Sequence, residues 1–285
     1  MIRAMRSILL ALALVGLASP AWAAPAVWRL RDADTTITLF GSMHALPADA
    51  AWRTPELDRA IAEADEVWFE FPSPTAPGMR EAYARAYAAR PKQTAKTSTL
   101  LSPEGRRLAV QAFGSLEAVD AQPVSSLLIE LTRRYWAKTG MEQRYGVETA
   151  VQAAVAPEKL RSFANAEQHL ALVASEPLSR QVAQLEGYLR SPLDPAPLKA
   201  TTRAWLSGNT RVFENEAVAR MKAREPGYAR VFLEDRNRKW ITPIAAMLNR
   251  PGKILIVVGA GHMAGPEGLP ALLRARGLKV EGPGA

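Results

Sequence analysis

The pattern of apolar and polar residues predicts strands near both ends of the chain and helices between them. Residues 27–41 alternate like two strands joined by the turn-forming stretch 31–34, and residues 66–71 like a third strand. Between them, Thr54 and Pro55 begin a stretch whose apolar residues recur every three to four positions, which predicts a helix. A strand, a helix and a strand in succession favour a parallel pair of strands.

The middle of the chain, about residues 78–224, has a helical pattern almost throughout. Within it, residues 159–164 predict one short strand and the proline-rich stretch 191–200 predicts a loop. The nearly continuous apolar run 253–259 is typical of a buried parallel strand. We therefore predict an α/β fold in one domain over residues 24–285: a mixed, mostly parallel sheet from the N- and C-terminal parts, with a large helical insertion.

The first 23 residues have the composition of a secretory signal peptide. Arg3 and Arg6 precede the apolar run 8–18, and an A-x-A cleavage pattern ends at Ala23. The apolar run is too short to span a bilayer comfortably, although an uncleaved anchor is the alternative. We expect cleavage near Ala23, a periplasmic or secreted protein, and no stable membrane insertion afterwards.

Composition excludes several kinds of site. The chain has no cysteine, so disulfides, cysteine-bound zinc and cysteine nucleophiles are excluded. The formal net charge is +8, but the basic residues are scattered and form no block or aromatic-interleaved stripe. Nucleic acid is therefore not an expected partner.

Two of the three histidines share a local motif. His44 and His262 each stand at the end of a Gly-x-x-His sequence that directly follows a strand-like run. Glu70 ends the strand at 66–71, and ligands collect at the carboxyl ends of strands in open α/β sheets. Two imidazoles and a carboxylate form a recurrent set of ligands for manganese, cobalt, zinc or iron. We expect these three side chains to bind a divalent metal.

Other interpretations stay open at this stage. Each motif histidine can be a hydrogen-bonded structural residue, and Glu70 can pair with an arginine in the core. His169 lacks the motif and lies in a helical stretch, so we interpret it as an ordinary helix residue. A dinucleotide site is excluded because Ala264 stands where the third glycine of that motif would be. The chain also has no G-x-S-x-G, H-E-x-x-H or Walker A motif.

Five stretches carry a resemblance to the TraB/PrgY/GumN family, which includes the TIKI proteins, metal-dependent proteases that act on Wnt proteins. They are FGSMHALP, WFEFP, YGVETAVQAA, LEDRNRKW and VVGAGHMAGPEGLP, and they occur in the family's order along nearly the whole chain. The resemblance implies a core similar to that of erythromycin esterase and ChaN-like proteins. Two departures are Glu148, where the family usually has aspartate, and Ala164, where it usually has glutamate.

The resemblance also implies roles for particular residues. His44, Glu70 and His262 would be metal or catalytic residues, and Arg236 and Asn237 would line the same site as catalytic residues. An arginine there can hold a substrate carboxylate or an oxyanion. The alternative for Arg236 is a surface charge on a basic helix.

These observations together predict an exported metal-dependent hydrolase, first of all a peptidase, whose partner is a peptide or another small substrate. Glu70 would serve either as a ligand or as the general base. One alternative is a non-catalytic protein that sequesters a peptide signal. Another is a hydrolase of a non-peptide ester or a sugar-linked substrate. The sequence leaves the substrate, the metal and the oligomeric state open.

Overall fold

A computed structural model of the chain describes residues 24–73, 78–89, 92–190, 194–224 and 226–284. The predicted signal peptide lies outside the described residues.

A six-stranded mixed sheet forms the centre of the described structure. Its strands are β1 Val27–Arg31, β2 Thr35–Ser42, β3 Glu66–Phe69, β4 Leu160–Ser162, β5 Gly252–Gly259 and β6 Val280–Glu281. They lie in the order β4-β3-β5-β2-β1-β6. The pairs β2–β5, β5–β3 and β3–β4 are parallel, whereas β1 is antiparallel to both β2 and β6. The predicted mixed, mostly parallel sheet is therefore confirmed.

The register of the central strands brings the two Gly-x-x-His motifs side by side. β2 and β5 pair along their whole length, from Thr35 opposite Gly252 to Ser42 opposite Gly259. On the other side of β5, Phe69 of β3 lies opposite Val257. Three parallel strands therefore end at one edge of the sheet, and the chain segments that follow them lie close together.

The helices belong mainly to the middle of the chain, as expected. They are α1 Pro55–Glu63, α2 Met79–Ala88, α3 Thr97–Leu100, α4 Pro103–Phe113, α5 Leu116–Asp120, α6 Val124–Lys138, α7 Val147–Ala154, α8 Ala166–Ala174, α9 Leu178–Arg190, α10 Pro195–Leu206, α11 Thr210–Phe213, α12 Arg220–Arg224, α13 Pro226–Ala229, α14 Asp235–Ala246 and α15 Leu269–Ala275. π-helical turns lie at Glu214–Ala219 and Arg230–Glu234. None of the described helices is both long and apolar enough to cross a membrane.

Helices cover both faces of the sheet. On one face, α1, α7 and α10 pack on a core that contains Phe40, Val67 and Val257. On the other face, α14 and α15 pack on Ile37 and Ile256. These side chains are at most 1% exposed, and burying each contributes roughly 1.5–3 kcal/mol. A separate apolar cluster joins α4, α5, α6 and α9 away from the sheet.

One expectation about the middle region is wrong. The sequence predicts a loop over the proline-rich stretch 191–200, of which residues 191–193 lie outside the described residues, but α10 begins at Pro195. The side chain of Asp194 caps this helix by accepting a hydrogen bond from the amide of Ala196. Pro195 and Pro197 both fall in the first turn, where backbone N–H groups have no intrahelical partner, so the missing donors cost little.

Candidate functional site

The two motif histidines and Glu70 meet at the carboxyl edge of the sheet. Each follows the end of a parallel strand, namely β2, β5 and β3. A Cβ atom placed on Gly259 would lie 3.1 Å from Glu70 Oε1, 3.6 Å from His44 Nε2 and 3.8 Å from His262 Cδ2. The structure therefore brings together three side chains that the sequence analysis selected.

Glu70 is largely buried, with its side chain 12% exposed, and both of its oxygens are paired. Oε1 accepts a hydrogen bond of 2.6 Å from the amide of Gly259, and Oε2 lies 2.7 Å from Arg236 Nη1. Burial alone would raise the pKa of Glu70, but His262 in its charged form and the Arg236 guanidinium hold that pKa well below its usual range. Glu70 is therefore an anion at neutral pH, and the pairing with an arginine that the sequence left open is present.

His44 is held by Glu148 from α7. Its Nδ1 lies 2.7 Å from Glu148 Oε1, and the same oxygen accepts a hydrogen bond from the hydroxyl of Ser42. Glu148 raises the pKa of His44 to about 9, against the opposite effect of burial. A Cβ on Gly146 would lie 2.2 Å from the His44 carbonyl oxygen, so only glycine allows α7 this close.

His262 is oriented by Asn237 of α14. The amide nitrogen of Asn237 donates to the carbonyl oxygens of His262, at 3.2 Å, and Glu267, at 2.7 Å. Its oxygen must therefore accept, at 2.6 Å, from Nδ1–H of His262. Burial lowers the pKa of His262, so its ring is neutral with the lone pair on Nε2, 3.4 Å from Glu70 Oε2.

Asn237 stands behind the site. The residue is only 1% exposed, and its side-chain oxygen and nitrogen both bond to the protein itself. The resemblance implies that Asn237 is a catalytic side chain that lines the site, whereas these contacts fit a residue that positions His262.

Arg236 lies inside the site, so the alternative of a surface charge is wrong. Its side chain is 11% exposed, and its guanidinium carbon is 4.4 Å from the Phe71 ring and 4.6 Å from the Trp240 ring. Nη1 faces Glu70 Oε2 and, at 3.3 Å, His262 Nε2. Nη2 is buried and has no hydrogen-bond partner among the described residues. A buried donor without a partner is costly, which points to a ligand.

The donor set fits a divalent metal in its chemistry. Histidine ligands usually bond their second nitrogen to a carboxylate or another acceptor, and Glu148 and Asn237 do this for His44 and His262. Within the described part of the chain, however, no group of three or more such side chains has the spacing of a metal site. Arg236 contacts two of the three donors, Glu70 and His262, and its guanidinium provides the positive charge beside them.

A family model described as TraB/PrgY/gumN matches residues 26–282. The chain belongs to the TraB/PrgY/gumN family. The match includes every side chain of the site described above. The chain matches no curated protein and no solved structure at a significant level.

Two features of this TraB/PrgY/gumN site were not assigned from the sequence. Glu148 was noticed only as a departure from the family pattern, yet it is the partner of His44. His169 was interpreted as an ordinary helix residue, yet its ring stacks on Phe71 beside the site. Ala164, the other departure, lies just past β4, and its carbonyl accepts a hydrogen bond from Ser162.

Proposed function

We propose that this protein is an exported hydrolase that cleaves peptide bonds at the site around Gly259. The observation that supports the proposal is the convergence of Glu70, two imidazole Nε2 atoms and an arginine at one edge of the sheet. The TraB/PrgY/gumN membership is consistent with it. The cleavage of peptides, export and metal dependence are parts of the proposal.

The metal part of the proposal assigns three ligands. His44, Glu70 and His262 would hold a divalent ion such as manganese, cobalt, zinc or iron, which would supply a water of lowered pKa and polarise the substrate carbonyl. Arg236 Nη1 contacts Glu70 and His262, so we expect the guanidinium to turn away from them when the ion binds. If Glu70 is not a ligand, its carboxylate is the candidate general base.

Arg236 supplies the charge stabilisation. In this proposal its Nη2, which is buried and has no partner among the described residues, donates to the carbonyl oxygen as negative charge develops there. The rings of Phe71 and Trp240 pack against the guanidinium and limit its movement. Loss of one such donor typically lowers kcat about 10²–10³-fold.

A non-catalytic peptide-binding role is the second candidate. It is favoured by one observation: both oxygens of Glu70 are already paired, with Gly259 and Arg236. In that case Nη2 of Arg236 would bind the carboxylate of a peptide without cleaving it.

A substrate screen tests the proposal. The purified protein would be incubated with fluorogenic peptides, simple esters and glycosides, each with manganese, cobalt and zinc in turn. We expect the protein to cleave peptides, and His44→Ala, Glu70→Gln and His262→Ala to lose this activity while circular dichroism shows that they still fold.

The control is Glu63→Gln, which alters an exposed carboxylate on α1 and should cleave like wild type. Binding of peptides without cleavage would favour the sequestering role. Cleavage of esters or glycosides alone would favour a hydrolase of non-peptide substrates. Unchanged peptide cleavage in all three site variants would contradict the proposed site.

A further inference from the structure

The third histidine, His169 of α8, borders the candidate site from the helical region. Its ring stacks on the ring of Phe71, with centroids 3.8 Å apart and planes inclined by 14°. Phe71 directly follows Glu70, and its ring also contacts the guanidinium of Arg236 at 4.4 Å. The Phe71 ring therefore contacts both His169 and the arginine of the site.

Hydrogen bonds of Tyr83, in α2, determine which nitrogen of His169 carries the proton. The Tyr83 hydroxyl donates to the carbonyl oxygen of Pro72 at 2.9 Å and lies 2.8 Å from His169 Nδ1. A phenol has one proton, and Pro72 receives it, so the hydroxyl oxygen must accept from Nδ1–H of His169. The neutral ring therefore keeps its lone pair on Nε2.

The lone pair on Nε2 of His169 can accept a hydrogen bond. Nε2 is on the ring edge away from Tyr83 and has no hydrogen-bond partner among the described residues. The side chain is half-buried, and burial lowers the pKa of His169, with Arg236 adding to the effect. The ring is therefore neutral at neutral pH, so Nε2 acts as an acceptor and not as a donor.

The two unpaired atoms near Phe71 are complementary. Within the part of the chain that the structure describes, Nη2 of Arg236 is a donor without a partner and Nε2 of His169 is an acceptor without a partner. A peptide group offers both a carbonyl oxygen and an N–H, whereas an ester offers only acceptors. A site built to hydrogen-bond an N–H discriminates against an analogue that lacks it, because the site's own polar atom is left unpaired.

We infer that His169 is a specificity-determining residue whose Nε2 accepts a hydrogen bond from a substrate N–H, so that the site prefers amides to esters. The inference rests on the proposed function for the place where the substrate binds. It adds to that proposal a residue outside the Gly-x-x-His motifs, together with a preference between two classes of carbonyl compound.

The first test observes the histidine nitrogens directly by ¹⁵N NMR on the purified protein. The chain has three histidines, so His169→Asn assigns the signal. We expect the Nδ1–H tautomer for His169. We also expect N-methylacetamide, which has an N–H, to shift its Nε2 resonance, whereas methyl acetate, which has none, should not. An Nε2–H tautomer, an equal response to both probes, or no response to either would overturn the inference.

The second test compares two variants on a peptide and its matched ester. His169→Asn keeps a donor that reaches Tyr83 but lacks an atom at the Nε2 position, whereas the longer side chain of His169→Gln places an oxygen there. For the peptide, KM should rise about tenfold in the Asn variant and recover in the Gln variant, with kcat little changed. For the ester, KM should not change, and equal losses on both substrates would overturn the inference.

Failure of the proposed function can be distinguished from failure of this inference. If the wild-type protein cleaves neither substrate, the proposed hydrolase is contradicted. The NMR titration with the amide and ester probes does not depend on cleavage, and it decides the role of His169 in either case.

Discussion

Removal of the Glu148 carboxylate tests the electrostatics of the site most sharply. Glu148→Gln retains the size of the side chain and an oxygen that can accept from Ser42, but it removes the negative charge beside His44. Because Glu148 is the main cause of the raised pKa of His44, that pKa should fall from about 9 to 6.5 or below.

The size of the effect on stability follows from the pKa shift. A change of this pKa from 6.5 to about 9 would correspond to an upper bound of about 3 kcal/mol. The His44 side chain is 57% exposed, so solvent screens the pair and about 1–2 kcal/mol is a better expectation. Since the folded pKa is raised, this stabilisation is complete below about pH 6.5 and is lost as the pH rises through about 9.

NMR titration of the histidines and urea unfolding at pH 6 and pH 9.5 would measure both effects. At pH 6, Glu148→Gln should lower the free energy of unfolding by about 1–2 kcal/mol, and at pH 9.5 the difference should nearly vanish. The control is Glu142→Gln, which removes an exposed carboxylate paired with Arg144. A wild-type His44 pKa near 6.5, or an equal loss of stability at both pH values, would refute the reasoning.

Three further predictions follow from the geometry. Gly259→Ala, at a φ of −49° that alanine tolerates, inserts a methyl group 3.1 Å from Glu70 Oε1 and should abolish peptide cleavage in a protein that still folds. Gly187→Ala on α9, where a Cβ meets no atom, is its control, and equal activity of the two variants would contradict the site. Asn237→Ala leaves buried partners unsatisfied and should cost about 1–3 kcal/mol in urea unfolding, whereas a loss under 0.5 kcal/mol would contradict its positioning role. Binding of manganese should release the proton of His44, so calorimetry below pH 9 should give a heat that depends on the buffer, and a buffer-independent heat would argue against His44 as a ligand.

Much of the sheet and of α1 could be predicted because their signals are local. Thr54 at the N-cap and Pro55 at the first helical position mark the start of α1. The side chain of Thr54 accepts a hydrogen bond from the amide of Leu57, as is typical of an N-cap residue. The motifs around His44 and His262 follow apolar runs, which is why their meeting at one sheet edge could be anticipated.

The rest of the site depends on tertiary contacts that no local period encodes. Helical spacing places Glu148 and His169 on helices but does not reveal which side chains they face. The π-helical turn Arg230–Glu234 directly precedes α14 and shifts the face on which Arg236 and Asn237 lie. A regular period of 3.6 residues contains no sign of that shift.

The central claim is that the two Gly-x-x-His motifs and Glu70 form one site. The most direct test is the metal content of the purified protein after equilibration with manganese, cobalt or zinc, measured by mass spectrometry. The account predicts about one ion per chain in wild type and in Glu63→Gln, and none in His44→Ala or His262→Ala that still fold. Retention of the ion in both histidine variants, or no bound ion in wild type, would contradict it.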